Sequence, residues 1–137
     1  MSKLYIKCLT LNESRKLVSC HGGDMVWGPD RIDDPNPPSA LLCKAGFIHG
    51  CRLRDFPAWV STHNVVVEVE GDVLEGPDKV GFRDAKIVRI ATNVDGLDVL
   101  VAFAEFCAEQ GENYTDEKGS AFLVSLYPTG FFDGVEA

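Results

Sequence analysis

The 137-residue sequence contains no run of apolar residues approaching the ~20 that a membrane-spanning helix requires. Its first residues, MSKLYIKCLTL, alternate polar and apolar side chains instead of placing a basic patch before an apolar stretch. No secretory signal is read there, no membrane association is expected, and a cytoplasmic location follows. Phosphate-binding loops of the Gly-x-x-x-x-Gly-Lys kind and the dinucleotide fingerprint are missing. The one glycine pair, Gly22-Gly23, is followed by Asp24, whose charge repels a phosphate. A Gly-x-Ser-x-Gly nucleophile elbow is absent too. Basic residues are scattered and build no aromatic–basic platform, which speaks against direct nucleic-acid binding.

The last third of the chain is short of positive charge. Residues 1–92 hold twelve acidic and twelve basic side chains, so they balance. Residues 93–137 hold nine acidic side chains and one basic one, Lys118. The whole net charge of −8 therefore sits in the rear segment, which repels nucleic acid and attracts basic surfaces.

Apolar residues at 45% and charged residues at 25% are ordinary for a folded protein, and the length suits a single domain over 1–137 with a sizeable core. Five cysteines, Cys8, Cys20, Cys43, Cys51 and Cys107, form an odd, irregular set without an export signal, so reduced thiols are expected. Cys20, His21, Cys43, His49 and Cys51 are the right kinds of ligand for tetrahedral zinc. Their spacing lacks the tight Cys-x-x-Cys or His-x-x-x-His pairs that preorganise a site, and no metal or cofactor is expected. Cys20 beside His21, or Cys51 near His49, supplies a thiol with a base, but adjacent side chains on extended backbone point apart.

Alternation predicts a strand at 4–11, with short strands at 17–20 and 25–28 separated by turns at NESRK and HGGD. PDRIDDPNPPS (29–39), with four prolines and three aspartates, predicts an irregular exposed loop. A short helical turn is expected within RLRDFPAWV (52–60). Strands are expected at 64–73 and 79–90, paired antiparallel, with Val65, Val67 and Val69 on one face of the first. A helix runs from about Asp95 to Gln110, capped by Asp95 and ended by Gly111. Its buried stripe is read as Leu97, Leu100, Val101, Ala104 and Ala108, widened by Phe103 and Cys107. SAFLVSLYP (120–128) is read as a last strand. The fold class is therefore α+β, an antiparallel β-sheet with one main α-helix packed on it.

The middle of the chain resembles a group of small, uncharacterised proteins common in phages and other mobile elements. The residues that carry the resemblance are Leu42, Cys43, Gly46, Phe47, His49 and Cys51, then Glu68, Val69, Glu70 and Gly71, then Asp78 and Lys79. The match spans roughly residues 16–91, and Ile48 is an extra residue between Phe47 and His49. The resemblance implies a mobile-element origin and carries no activity with it.

Two functions are expected to compete. In the first, a small acidic protein of phage or prophage type docks on a basic, nucleic-acid-binding surface of a host protein and inhibits it. Its contact residues are Asp98, Glu105, Glu109, Glu112, Asp116 and Glu117, with a second contact from Asp30, Asp33 and Asp34 around Arg31. In the second, an ADP-ribosyltransferase-like enzyme uses NAD, with Glu68, Glu70 or Glu105 orienting the ribose and His21 or Tyr5 at the nicotinamide. That analogy rests on the look of the fold alone, and the non-enzymatic reading is preferred. LLCKAGFIHGC (41–51) is read as a structural corner built on Gly46 and Gly50.

Overall fold

A computed structural model describes residues 2–19, 25–37 and 46–137. Among these, nine strands form two antiparallel sheets: β1 Ser2–Leu11, β2 Leu17–Ser19, β3 Val26–Trp27, β4 Ile32–Asp33, β5 Ile48–Gly50, β6 His63–Glu70, β7 Val73–Glu75, β8 Val80–Phe82 and β9 Asp84–Arg89. The larger sheet has the order β3-β2-β1-β6-β9-β4 and the smaller β5-β8-β7. Three α-helices follow or interrupt them: α1 Phe56–Trp59, entered through a 3-10 turn at Leu53–Asp55, α2 Gly96–Gln110 and α3 Asp116–Ser125. The α+β class expected from the sequence is what the chain adopts.

The order of the larger sheet dictates its shape. β3 and β4 lie on opposite edges, yet only residues 28–31 join them. Six flat strands would separate the edges by about 24 Å, whereas the five steps of chain from Trp27 to Ile32 reach at most about 18 Å. The sheet must curl toward closure.

Both faces of its central strands are covered. The β1–β6 register pairs Tyr5 with Val67 and Lys7 with Val65 on one face, and Ile6 with Val66 on the other. The first face closes against the smaller sheet, where Tyr5 stacks on Phe82 at 6.1 Å between ring centres. Ile6 and Val66 pack against Phe56, Leu123 and Phe132 from the helical layer. Burial on both sides explains the unbroken valine run at the centre of β6, with Glu68 and Glu70 confined to its end.

The 79–90 segment divides instead of forming one strand. Val80–Phe82 joins the smaller sheet and Asp84–Arg89 pairs with β6, as the antiparallel expectation required. Arg83 stands at the crossing and donates to the backbone oxygens of Gly46 and Asp34.

The predicted strand at 120–128 is overturned. Residues 116–125 are helical: the Thr115 hydroxyl accepts from the Lys118 N–H at 3.1 Å, and Asp116 and Glu117 fill the first turn. Ser120, Leu123 and Tyr127 recur at helical spacing and are buried. The run Phe122-Leu123-Val124 suited either structure, and the cap decided for helix.

The corner at 46–51 is structural in the way its glycines suggested. Gly46 has φ +103°, a conformation that side-chain-bearing residues avoid. A Cβ at Gly50 would meet the Phe82 ring and the Ile6 carbonyl. Cys51 exchanges backbone hydrogen bonds with Ile6 at 2.8 and 2.9 Å, locking the corner to β1. Leu41 to Ala45, Cys20 and the HGGD turn lie outside the described residues.

Candidate partner-binding surface

The six carboxylates singled out in the sequence sit on α2, the 3-10 turn at Gly111–Asn113 and the start of α3. Asp95 caps α2, its Oδ1 accepting from the N–H groups of Leu97 at 2.9 Å and Asp98 at 3.1 Å. Gly96 lies so close to the Thr62 carbonyl that a Cβ there would overlap it. At its other end Gly111 turns the chain with φ +50°, and ring stacking holds the helix to α3. Phe106 stacks on Phe122 at 4.3 Å, with Phe103 next in line at 6.4 Å.

Asp98, Glu105, Glu109, Glu112, Asp116 and Glu117 are all exposed. Among the described residues, none of the six takes part in an ion pair within 4.0 Å. Lys118, the one basic residue of this segment, turns its Nζ to the carbonyl of Asn113 at 3.2 Å. At about 100° per residue, Asp98, Glu105 and Glu109 share one side of α2, and Glu112 follows in the turn beyond it. Asp116 and Glu117 continue from it in the chain.

The buried stripe expected for α2 is corrected by the structure. Val99 is the helix's one fully buried residue. Leu97 and Val101 are 67% and 57% exposed, and Ala104 and Ala108 are exposed with them. Leu100, Phe103 and Cys107 are half-buried. The inward face is the one carrying Val99, Phe103 and Phe106, turned well away from Leu97. The missed signal was arc width: the expected apolar residues covered more of the helix than one docking face needs.

The other chemical candidates are spread through the fold. Cys20, His21 and Cys43 lie outside the described residues. Cys51 is buried against Cys8, and that hydrogen bond together with burial pushes its thiol well above the ordinary range, the opposite of an activated thiolate. His49 is held below the usual histidine range by burial and by nearby Lys79 and Lys7. Among the described residues, no group of three or more His, Cys, Asp or Glu side chains is placed to hold a metal ion. Tyr5 is 1% exposed within the core. The Glu68 carboxylate is taken by Arg31 at 2.7 Å, with Glu70 at 3.9 Å from the same guanidinium. Glu105 is on α2, in a different layer from both. Within the expected 29–39 loop, the described residues 29–37 are anchored in the same way, Arg31 also binding Asp84 at 2.7 Å.

A recess of about 420 Å³ opens between β3 and β9, lined by Leu17, Trp27, Pro29, Ile87, Ile90 and Arg89. Arg89 is engaged with the carbonyls of Phe131 at 2.8 Å and Asp133 at 2.7 Å. None of the glutamates weighed for ribose lines the recess.

Fold and surface together define a small α+β protein with a balanced β-core and a helical edge that is both anionic and apolar. No family model, curated protein or solved structure matches the chain.

Proposed function

We propose that this chain is a binding protein whose carboxylate-lined α2–α3 edge docks on a basic surface of another protein. One observation carries the reading: six carboxylates within residues 98–117 are exposed and have no ion-pair partner among the described residues. Acidic residues spread for solubility need no common location, whereas a one-sided field steers and orients a partner of opposite sign. Where the covered surface is the partner's own nucleic-acid site, docking inhibits the partner. A phage-encoded chain acting this way blocks a host machine without any catalysis.

The test sets the chain beside a Glu105→Lys/Glu109→Lys/Glu112→Lys variant, both immobilised and exposed to the same host lysate. Proteins retained at about 50 mM salt and released as screening shortens the electrostatic range to about 8 Å are identified by mass spectrometry. The native chain is expected to retain basic proteins that the variant does not. An identical retained set on both columns rejects acidic docking.

A further inference from the structure

Resting on that reading of the acidic edge, we infer that the partner segment received by α2 is an amphipathic helix, apolar along one seam and basic along its flank. Leu97, Val101, Ala104 and Ala108 follow one another at intervals of four, three and four residues, the spacing of a helix–helix seam. All four are exposed, so the seam is formed and left uncovered. At about 100° per residue, Asp98, Glu105 and Glu109 line one border of it, where interhelical ion pairs form in paired helices.

The two features specify complementary halves of one ligand. Ala104 and Ala108 are small, which lets a second helix approach closely at that end of the seam. Leu97 and Val101 project at the other end and call for apolar side chains opposite them. The carboxylate border calls for Lys or Arg at the facing positions. The α2–α3 edge of a second copy of this chain does not supply them: from residue 93 onward its one cation is Lys118, already turned toward Asn113. Charge therefore selects a different chain, and the seam selects a helix over an irregular basic tail. This is the helix-in-groove mode of peptide recognition, with electrostatics setting orientation and apolar contact setting residence.

Two synthetic peptides of about 20 residues, long enough to hold a helix when bound, serve as probes. The first places Leu on a four-three seam with Lys and Arg beside it; the second has the same composition in scrambled order. Binding is followed by fluorescence polarisation against the full chain, a Leu97→Ser/Val101→Ser variant and the Glu105→Lys/Glu109→Lys/Glu112→Lys variant. All five substitutions are on exposed positions, and circular dichroism checks that α2 persists.

The patterned peptide is expected to bind the native chain at least about tenfold more tightly than the scrambled one. Serine at 97 and 101 should erase that difference while leaving the weak, salt-sensitive binding of the scrambled peptide intact. Charge reversal should weaken both peptides. Equal binding of the two peptides overturns the helical partner and leaves acidic docking standing. Absence of binding by either overturns both. A concentration-dependent dimer in sedimentation that the serine variant dissolves overturns the inference differently, by assigning the seam to self-association.

Discussion

The β-layers and the helical edge treat charge in opposite ways. In the β-layers four arginines are bonded into the fold. Arg31 ties Glu68 to Asp84, and Arg52 binds Asp55 and the Gly76 carbonyl, each at 2.7 Å. Arg83 and Arg89 satisfy backbone oxygens at sheet crossings and at the C-terminal turn. On the edge formed by α2 and α3, six carboxylates face water without a counter-charge among the described residues. Leu97 and Val101 face water beside them. The difference teaches which charges the fold needs for itself. Ionic groups that hold elements together are buried or half-buried and bonded, and those left over are where a partner can act.

The sharpest way to break this contrast is to remove a core charge. Arg52→Leu strips the 2.7 Å partner from Asp55, whose side chain is only 4% exposed, and leaves it the exposed Arg54 at 3.7 Å. A buried carboxylate so poorly compensated should lower unfolding stability by about 3 kcal/mol in chemical denaturation. A loss near zero would mean the β-layer charges are as dispensable as the helical ones.

Gly96→Ala probes the joint between the two regions. The new Cβ would press on the Thr62 carbonyl, and displacing the start of α2 should cost about 2 kcal/mol, read as a lower Tm. An unchanged Tm would show that the start of α2 is not seated against Thr62 in this way.

His49 gives a smaller, pH-dependent signature of the β-layers. Burial, then Lys79 and Lys7, lower its pKa, so the folded chain resists protonation that the unfolded chain accepts. Stability attached to neutral His49 is complete above the ordinary histidine pKa of about 6.5 and declines as pH falls through it toward the folded value. Urea midpoints measured from about pH 7.5 down to about pH 5.5 should fall, and the fall should shrink in His49→Gln. If both chains titrate alike, the histidine is not the source.

The smallest expected effect is the most diagnostic of the comparison. Glu105→Gln, Glu109→Gln and Glu112→Gln together should change unfolding stability by no more than about 0.5 kcal/mol, because the carboxylates have no ion-pair partner among the described residues. A large destabilisation in the same denaturation assay would assign them to folding and remove the reason to look for a partner.

Much of the architecture was legible in the sequence because its signals are local. The alternation in LYIKCLTL and NVVVEVEG marked β1 and β6, and Asp95 and Gly111 marked the ends of α2. Gly46 and Gly50 marked a turn that only backbone freedom and a close approach to Phe82 require. The contact carboxylates were legible as a charge imbalance. Their apolar neighbours were not: α2 is apolar over so wide an arc that its composition allows more than one docking face. Residues 120–128 were misread because Phe-Leu-Val suits a strand or a helix equally over so short a run, and the Thr115 cap was overlooked.

The sequence by itself determined where strands, caps and turns fall and how charge is shared between front and rear, since propensity, capping and ionisation belong to residues and their near neighbours. Only the tertiary structure decided that α2 turns Val99 and its phenylalanines inward and leaves Leu97 and Val101 in water. The Thr62 carbonyl against Gly96 and the Phe122 ring against Phe106 pin the helix's rotation, and both contacts come from parts of the chain that local patterns in α2 cannot see.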